Sequence, residues 1–116
     1  MIRRSGELKC EFREKMRGGN GKVKIEHFWE PVTELKTKTR LCAKLTLAPG
    51  DSIGFHKHEN EEEVYIIIRG IAEAEDNGKI EKLHPGDTIL TGNGAGHSIK
   101  SIGAEPLEVI AVINCC

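Results

Sequence analysis

A chain of 116 residues with 38% hydrophobic and 30% charged side chains is long enough for one hydrophobic core and too short for a second. Its 17 basic and 18 acidic residues leave a formal net charge of -1, which offers no electrostatic footprint for nucleic acid or an anionic membrane. No stretch approaches the ~18 consecutive apolar residues of a membrane span. The start Met1-Ile2-Arg3-Arg4-Ser5-Gly6 lacks the apolar run of a secretion signal, so the expected location is cytoplasmic.

One Trp, one Tyr and three Phe must leave the core to Ile, Leu and Val, and 13 Gly with four Pro imply many turns. Residues 3–21 are polar and end in Gly18-Gly19-Asn20-Gly21, a turn between strands. No Lys-Ser/Thr follows those glycines, so they are not a phosphate-binding loop. The segment reads as an edge strand or as an arm reaching across to a partner subunit. Residues 22–29 alternate polar and apolar up to Ile25, as a half-buried strand should, and Pro31 ends the strand. Residues 39–47 give the clearest period of two, with Leu41, Ala43, Leu45 and Leu47 on one face and Arg40, Cys42, Lys44 and Thr46 on the other. Ala48-Pro49-Gly50-Asp51 is a turn.

Residues 64–69 are apolar on both faces, which places that strand inside the structure and not at an open edge. Residues 71–75 alternate again, and Asp76-Asn77-Gly78 is a hairpin signal leading into 79–84. His84-Pro85-Gly86-Asp87 turns the chain into 88–91. The flexible loop 92–96 follows, and strands 97–102 and 107–114 close the chain. Eight or nine short strands without an amphipathic helix make an all-β sandwich or barrel. Cys10, Cys42, Cys115 and Cys116 contain no Cys-x-x-Cys pair; reduced thiols are expected, with Cys42 a small buried hydrophobe.

The chemistry is concentrated in His56, His58, Glu63 and His97, since three imidazoles and a carboxylate can form a divalent-metal shell. His56 and His58 differ by two and leave a strand on the same face. Glu63, five further on, has the wrong parity for one continuous strand. A turn at 59–62 is expected to return the chain as an antiparallel neighbour and bring Glu63 to face the imidazoles. Tyr65 would share that face, as a core residue or as a hydrogen-bonding partner of a ligand. His97 must enter from another strand. His27 and His84 are expected to be ordinary surface or turn histidines, the acidic run 59–63 mostly a solvated turn, and Lys57 and Arg69 outward or rim charges.

These residues carry a family resemblance. Gly50-x5-His56-x-His58-x4-Glu63-x6-Gly70 is similar to the first cupin motif at every defined position. Gly86-x5-Gly92-x-Gly94-x2-His97-x3-Ser101 resembles the second, departing from it at Gly92, where the family usually has Pro, and at Ser101, where it usually has Asn. The likeness runs from Leu41 to about Val112. It implies a single-domain jelly-roll β-barrel over 22–116, preceded by an N-terminal arm or edge strand over 1–21. It further implies that His56, His58, Glu63 and His97 ligate one metal inside the barrel and that the protein is a homodimer.

Such a shell leaves one or two of six positions open on Mn, Fe, Ni, Co or Zn, and three neutral imidazoles with one carboxylate leave the site at +1. A small anionic ligand is therefore the expected partner. The leading expectation is a metal-dependent enzyme with oxygenase-like or decarboxylase-like chemistry on an organic acid. The alternatives are a sugar or sugar-acid isomerase and a non-catalytic binding or sensing cupin.

Overall fold

The computed structural model describes all 116 residues and is built almost wholly of strands: β1 (Lys9–Glu14), β2 (Lys22–His27), β3 (Thr39–Leu47), β4 (Ser52–Lys57), β5 (Glu61–Arg69), β6 (Ala72–Asp76), β7 (Lys79–Leu83), β8 (Thr88–Gly92), β9 (Gly96–Ser101) and β10 (Leu107–Cys115). The tenth strand, beyond the nine at most read from periodicity, is β1, which lies within the polar segment that precedes residue 22. Two short 3-10 turns, Ser5–Glu7 and Met16–Gly18, are the only helical pieces.

The strands form a six-stranded sheet in the order β1-β2-β3-β10-β5-β8 and a four-stranded sheet in the order β4-β9-β6-β7. Every pairing is antiparallel. Strands that are distant in sequence lie side by side (β3 beside β10, β4 beside β9), the double-stranded winding of a jelly roll. β1 pairs in register with β2, from Lys9 opposite His27 to Glu14 opposite Lys22, and forms the edge of the chain's own sheet.

The core fills the space between the sheets. Val23, Ile25, Ala43, Leu45, Leu47, Tyr65, Ile67, Val109 and Ala111 point inward from the larger sheet, and Ile53, Ala72, Ala74 and Ile99 from the smaller. Buried residues alternate with outward-facing ones along β2, β3 and β10, as period-two patterning requires. Tyr65 is the one aromatic side chain in this core.

The structure departs from the sequence-based expectations at three places, the turn after His58, the outer face of β5 and Cys42. The turn after His58 does not return the chain as a hydrogen-bonded neighbour, because β4 pairs with β9 while β5 pairs with β10 and β8 in the other sheet. The chain crosses from one sheet to the other, so the parity of β5 is set independently of β4. Strand β5 is internal, as its apolar character suggested, yet its outer face is not covered: Ile66 is 37% exposed, Ile68 42%, and Leu90 on the neighbouring β8 64%. The apolar side chains on that face do not serve this chain's core. All four cysteines are free thiols, and Cys42 is only half-buried on the outward row of β3, where burial pushes its thiol pKa up.

The motif glycines mark places where a side chain has no room or no allowed backbone. Gly70, with φ of +81°, turns the chain between β5 and β6, and a Cβ there would meet the Pro106 carbonyl oxygen at 2.6 Å.

Candidate metal centre

His56, His58 and His97 come from or adjoin the smaller sheet, and Glu63 faces them from the larger one. Against β9, Ile53 pairs with Ile99 and His56 with His97, so three steps on β4 oppose two on its neighbour. This bulge at Gly54 and Phe55 resets the phase and lets both Ile53 and His56 face the interior despite their odd separation. His58 lies one residue past β4 and is held by backbone bonds, its N–H donating to the Ala95 carbonyl at 3.0 Å and its carbonyl accepting from the Gly94 N–H at 2.9 Å. His97 sits opposite both His56 and Asp76. Its ring stacks on Tyr65 with centroids 4.7 Å apart and planes 7° from parallel.

The donor atoms converge. His97 Nε2 lies 3.0 Å from His58 Nε2 and 3.1 Å from His56 Nε2. Glu63 Oε1 lies 3.0 Å from both His58 Nε2 and His97 Nε2. Donors placed at ~2.1 Å from one ion are about 3.0 Å apart at right angles and about 3.4 Å apart in a tetrahedron. The observed spacing matches the edges of an octahedron. His58, Glu63 and His97 are fully buried and His56 partly so.

The outward nitrogens fix the tautomers. His56 Nδ1–H donates to the Gly54 carbonyl at 2.8 Å, and His58 Nδ1–H donates to Glu61 Oε2 at 2.5 Å. With the proton on Nδ1, each Nε2 presents a lone pair to the centre. Burial, opposed by the bond to Gly54 and reinforced by the neighbouring imidazoles, lowers the His56 pKa and favours the neutral ring. Two imidazole lone pairs and a carboxylate aimed at one point beside the His97 Nε2 are a donor set that fits a divalent ion.

Glu61, expected in a solvated turn, instead opens β5 with its carboxylate against the cluster. Arg40 clamps it with Nε to Oε1 and Nη2 to Oε2, both at 2.7 Å, and these bonds together with the one from His58 hold its carboxyl down to about 2. Tyr65 is pushed well above its ordinary value by burial and by the adjacent Glu63, and stays a neutral phenol.

Above this cluster lies a cavity of about 120 Å³. Sites for drug-sized ligands span roughly 300–1,000 Å³, so this one admits a molecule of few heavy atoms. Its polar wall consists of Arg13, Arg17, Arg40 and His27 with the ligand-type residues, and Met16, Leu41 and Ile113 supply apolar surface. His27 is therefore not an ordinary surface histidine. Its side chain is 11% exposed, its Nε2–H donates to Glu11 Oε2 at 2.9 Å, and its Nδ1 is buried without a partner. The bond from His27 is the main cause of the lowered Glu11 pKa. His84 stays in its exposed turn, Lys57 is exposed, and Arg69 pairs with Glu105 and Glu108 away from the cavity.

A jelly-roll barrel with a three-histidine, one-glutamate cluster facing a small interior cavity defines a cupin. Residues 43–113 match the family model described as a cupin domain, and the chain belongs to that family. An oxalate-binding protein of Thermotoga maritima is 42% identical over 113 residues, covering 97% of this chain and 93% of the relative. The crystal structure of a predicted oxalate decarboxylase from Thermotoga maritima superposes with a TM-score of 0.94 at 40% identity over the whole of both chains. An RmlC-like cupin from Shewanella frigidimarina has a TM-score of 0.71 at 14% identity, covering 99% of this chain and 90% of that one, and shares the fold.

Proposed function

We propose that this cupin binds a small dicarboxylate of the oxalate class on one divalent transition metal, Mn, Fe, Ni, Co or Zn, held by His56, His58, Glu63 and His97. The observation that carries the reading is the convergence of four donor atoms beside a small cavity lined by three of those residues, His56, His58 and Glu63, and by Arg13, Arg17 and Arg40. The metal would supply a Lewis acid with open positions for carboxylate oxygen. The chain supplies the rest. Arg13, Arg17 and Arg40 make the cavity attractive to an anion, and the cavity volume excludes larger acids. Glu61 and Gly54 orient two of the imidazoles, and Tyr65 holds the third by stacking. The family membership and the oxalate-binding relative support the same ligand class.

The test is titration of oxalate into manganese-loaded and metal-free protein. One equivalent should bind to the loaded protein and none to the metal-free form. Equal binding with and without metal would refute the reading.

A second reading, turnover by decarboxylation, is favoured by His27. Splitting hydrogen oxalate into formate and carbon dioxide breaks the C–C bond and places one proton on the formate carbon. His27, hydrogen-bonded to Glu11 and lining the cavity, is a side chain able to hold or pass that proton. Release of labelled carbon dioxide from labelled oxalate, lost in His27→Gln while oxalate still binds, would establish it. No release from loaded protein leaves binding alone.

A further inference from the structure

The segment Lys15-Met16-Arg17-Gly18-Gly19-Asn20-Gly21 joins β1 to β2 and brings Met16 and Arg17 to the cavity wall. Its shape is closely determined. Lys15 and Arg17 both occupy the left-handed region, with φ of +48° and +55°, although neither is glycine. A non-glycine residue there is disfavoured and persists only where its surroundings impose it.

The surroundings are those of β4. Asn20 N–H donates to Ser52 Oγ at 2.9 Å and Ser52 N–H donates to the Asn20 carbonyl at 3.0 Å, tying the segment to the start of the strand that carries His56. The two backbones touch. A Cβ on Gly54 would meet the Arg17 carbonyl oxygen at 2.0 Å, and a Cβ on Gly19 would meet the Ser52 carbonyl oxygen at 2.1 Å. Met16 packs against the core from within the segment. Hydrogen bonds, close backbone approach and apolar packing thus fix the Arg17 backbone relative to the metal strand.

The Arg17 side chain lines the cavity together with His56, His58 and Glu63. The other two cavity arginines are already engaged: Arg13 with Glu11 at 3.0 Å and Arg40 with Glu61 at 2.7 Å. Arg17 has no carboxylate partner in the chain. An unpaired guanidinium at the mouth of an anion cavity is a five-donor fork waiting for a planar acceptor.

We propose that Arg17 is the specificity residue of this site: it receives the ligand oxygens turned away from the four-donor cluster and so selects acids with a second carboxylate over those with one. This rests on the reading of the site as a metal-held dicarboxylate site. The glycine-rich segment is then a rigid mount for Arg17, and its left-handed residues are strain kept by that task.

The experiment uses full-length protein loaded with Mn2+, titrated calorimetrically with oxalate and, separately, with acetate. Arg17→Ala should weaken oxalate about 10- to 100-fold, as expected for loss of a charge-assisted hydrogen-bonded pair, and change acetate less than about threefold. Bound manganese and the melting temperature should match wild type, because the side chain is exposed and unpaired. Lys15→Ala removes the same charge from a neighbouring residue outside the cavity wall and should leave oxalate affinity within about threefold.

Oxalate affinity retained in Arg17→Ala would overturn this inference alone. Equal losses for oxalate and acetate, or an equal loss in Lys15→Ala, would also overturn it, since the effect would then be a general field. Failure of wild-type protein to bind oxalate would overturn both this inference and the functional reading beneath it.

Discussion

Replacing Glu61 by Gln should weaken metal binding without touching a proposed ligand. The carboxylate serves two partners at once, accepting from His58 Nδ1–H through Oε2 and from the Arg40 fork through both oxygens. A Gln side chain has one carbonyl oxygen and cannot satisfy both. The His58 ring then loses the acceptor that fixes its tautomer and raises the basicity of Nε2. Loss of such an outer partner typically costs 10- to 100-fold in metal affinity, or about 1.4–2.7 kcal/mol. Metal-free protein should lose less. The hydrogen bonds to an ionised group would contribute about 1.5–3 kcal/mol each if fully buried, but the Arg40 side chain is 44% exposed and screening leaves roughly 1–2 kcal/mol in total. Competition with a chelator of known manganese affinity measures the first quantity, and chemical denaturation of metal-free protein the second. Glu59→Gln, an exposed neighbour without this contact, is the control and should change metal affinity less than about threefold. If Glu61→Gln bound manganese as tightly as wild type, the claim that Glu61 orients His58 would be wrong.

Three further outcomes follow from other parts of the molecule. Tyr65→Phe keeps the stack on His97 and should retain metal, whereas Tyr65→Ala empties a fully buried site and should cost about 3–5 kcal/mol by denaturation together with most of the metal affinity. The Arg3 guanidinium holds Glu34 down to about 2, so the tether between the N-terminus and the 28–34 loop is complete above the ordinary carboxyl value of 4.5 and lost as pH falls toward 2. Hydrogen exchange of metal-free protein should show residues 3–8 loosening across that window, and Glu34→Gln should remove the pH dependence. We further propose that a second copy of the chain covers the apolar face carrying Ile66, Ile68 and Leu90. Sedimentation should then give twice the chain mass, and Ile68→Glu should give the monomer.

Residue type made His56, His58, Glu63 and His97 a plausible shell, the likeness of their spacing to the two cupin motifs implied that they act together, and their donor atoms do converge. The alternation of Leu41, Ala43, Leu45 and Leu47 likewise placed the β3 core face, and that row is buried or nearly so. What was not legible depends on topology. Periodicity reports parity within a strand but not which sheet the next strand joins, so Glu63 was expected on a neighbour of β4 and lies across the barrel. Glu61 is indistinguishable in sequence from the exposed Glu59 and Glu62 around it; only its contacts with His58 and Arg40 set it apart. His27 and Arg17 sit in segments far from either motif and reach the cavity because β1 and β2 join the sheet edge beside it. The apolar outer face of β5 read as burial within the chain, since a sequence does not distinguish a residue covered by its own fold from one left for a partner.

The central claim is that His56, His58, Glu63 and His97 hold one divalent metal ion. Elemental analysis of protein purified without chelator and without nickel affinity resin tests it directly, with His58→Ala prepared in parallel. Wild type should carry close to one equivalent of a transition metal and the variant little. Less than about 0.2 equivalents in wild type, with no rise in melting temperature on adding Mn, Fe, Co, Ni or Zn, would contradict the claim.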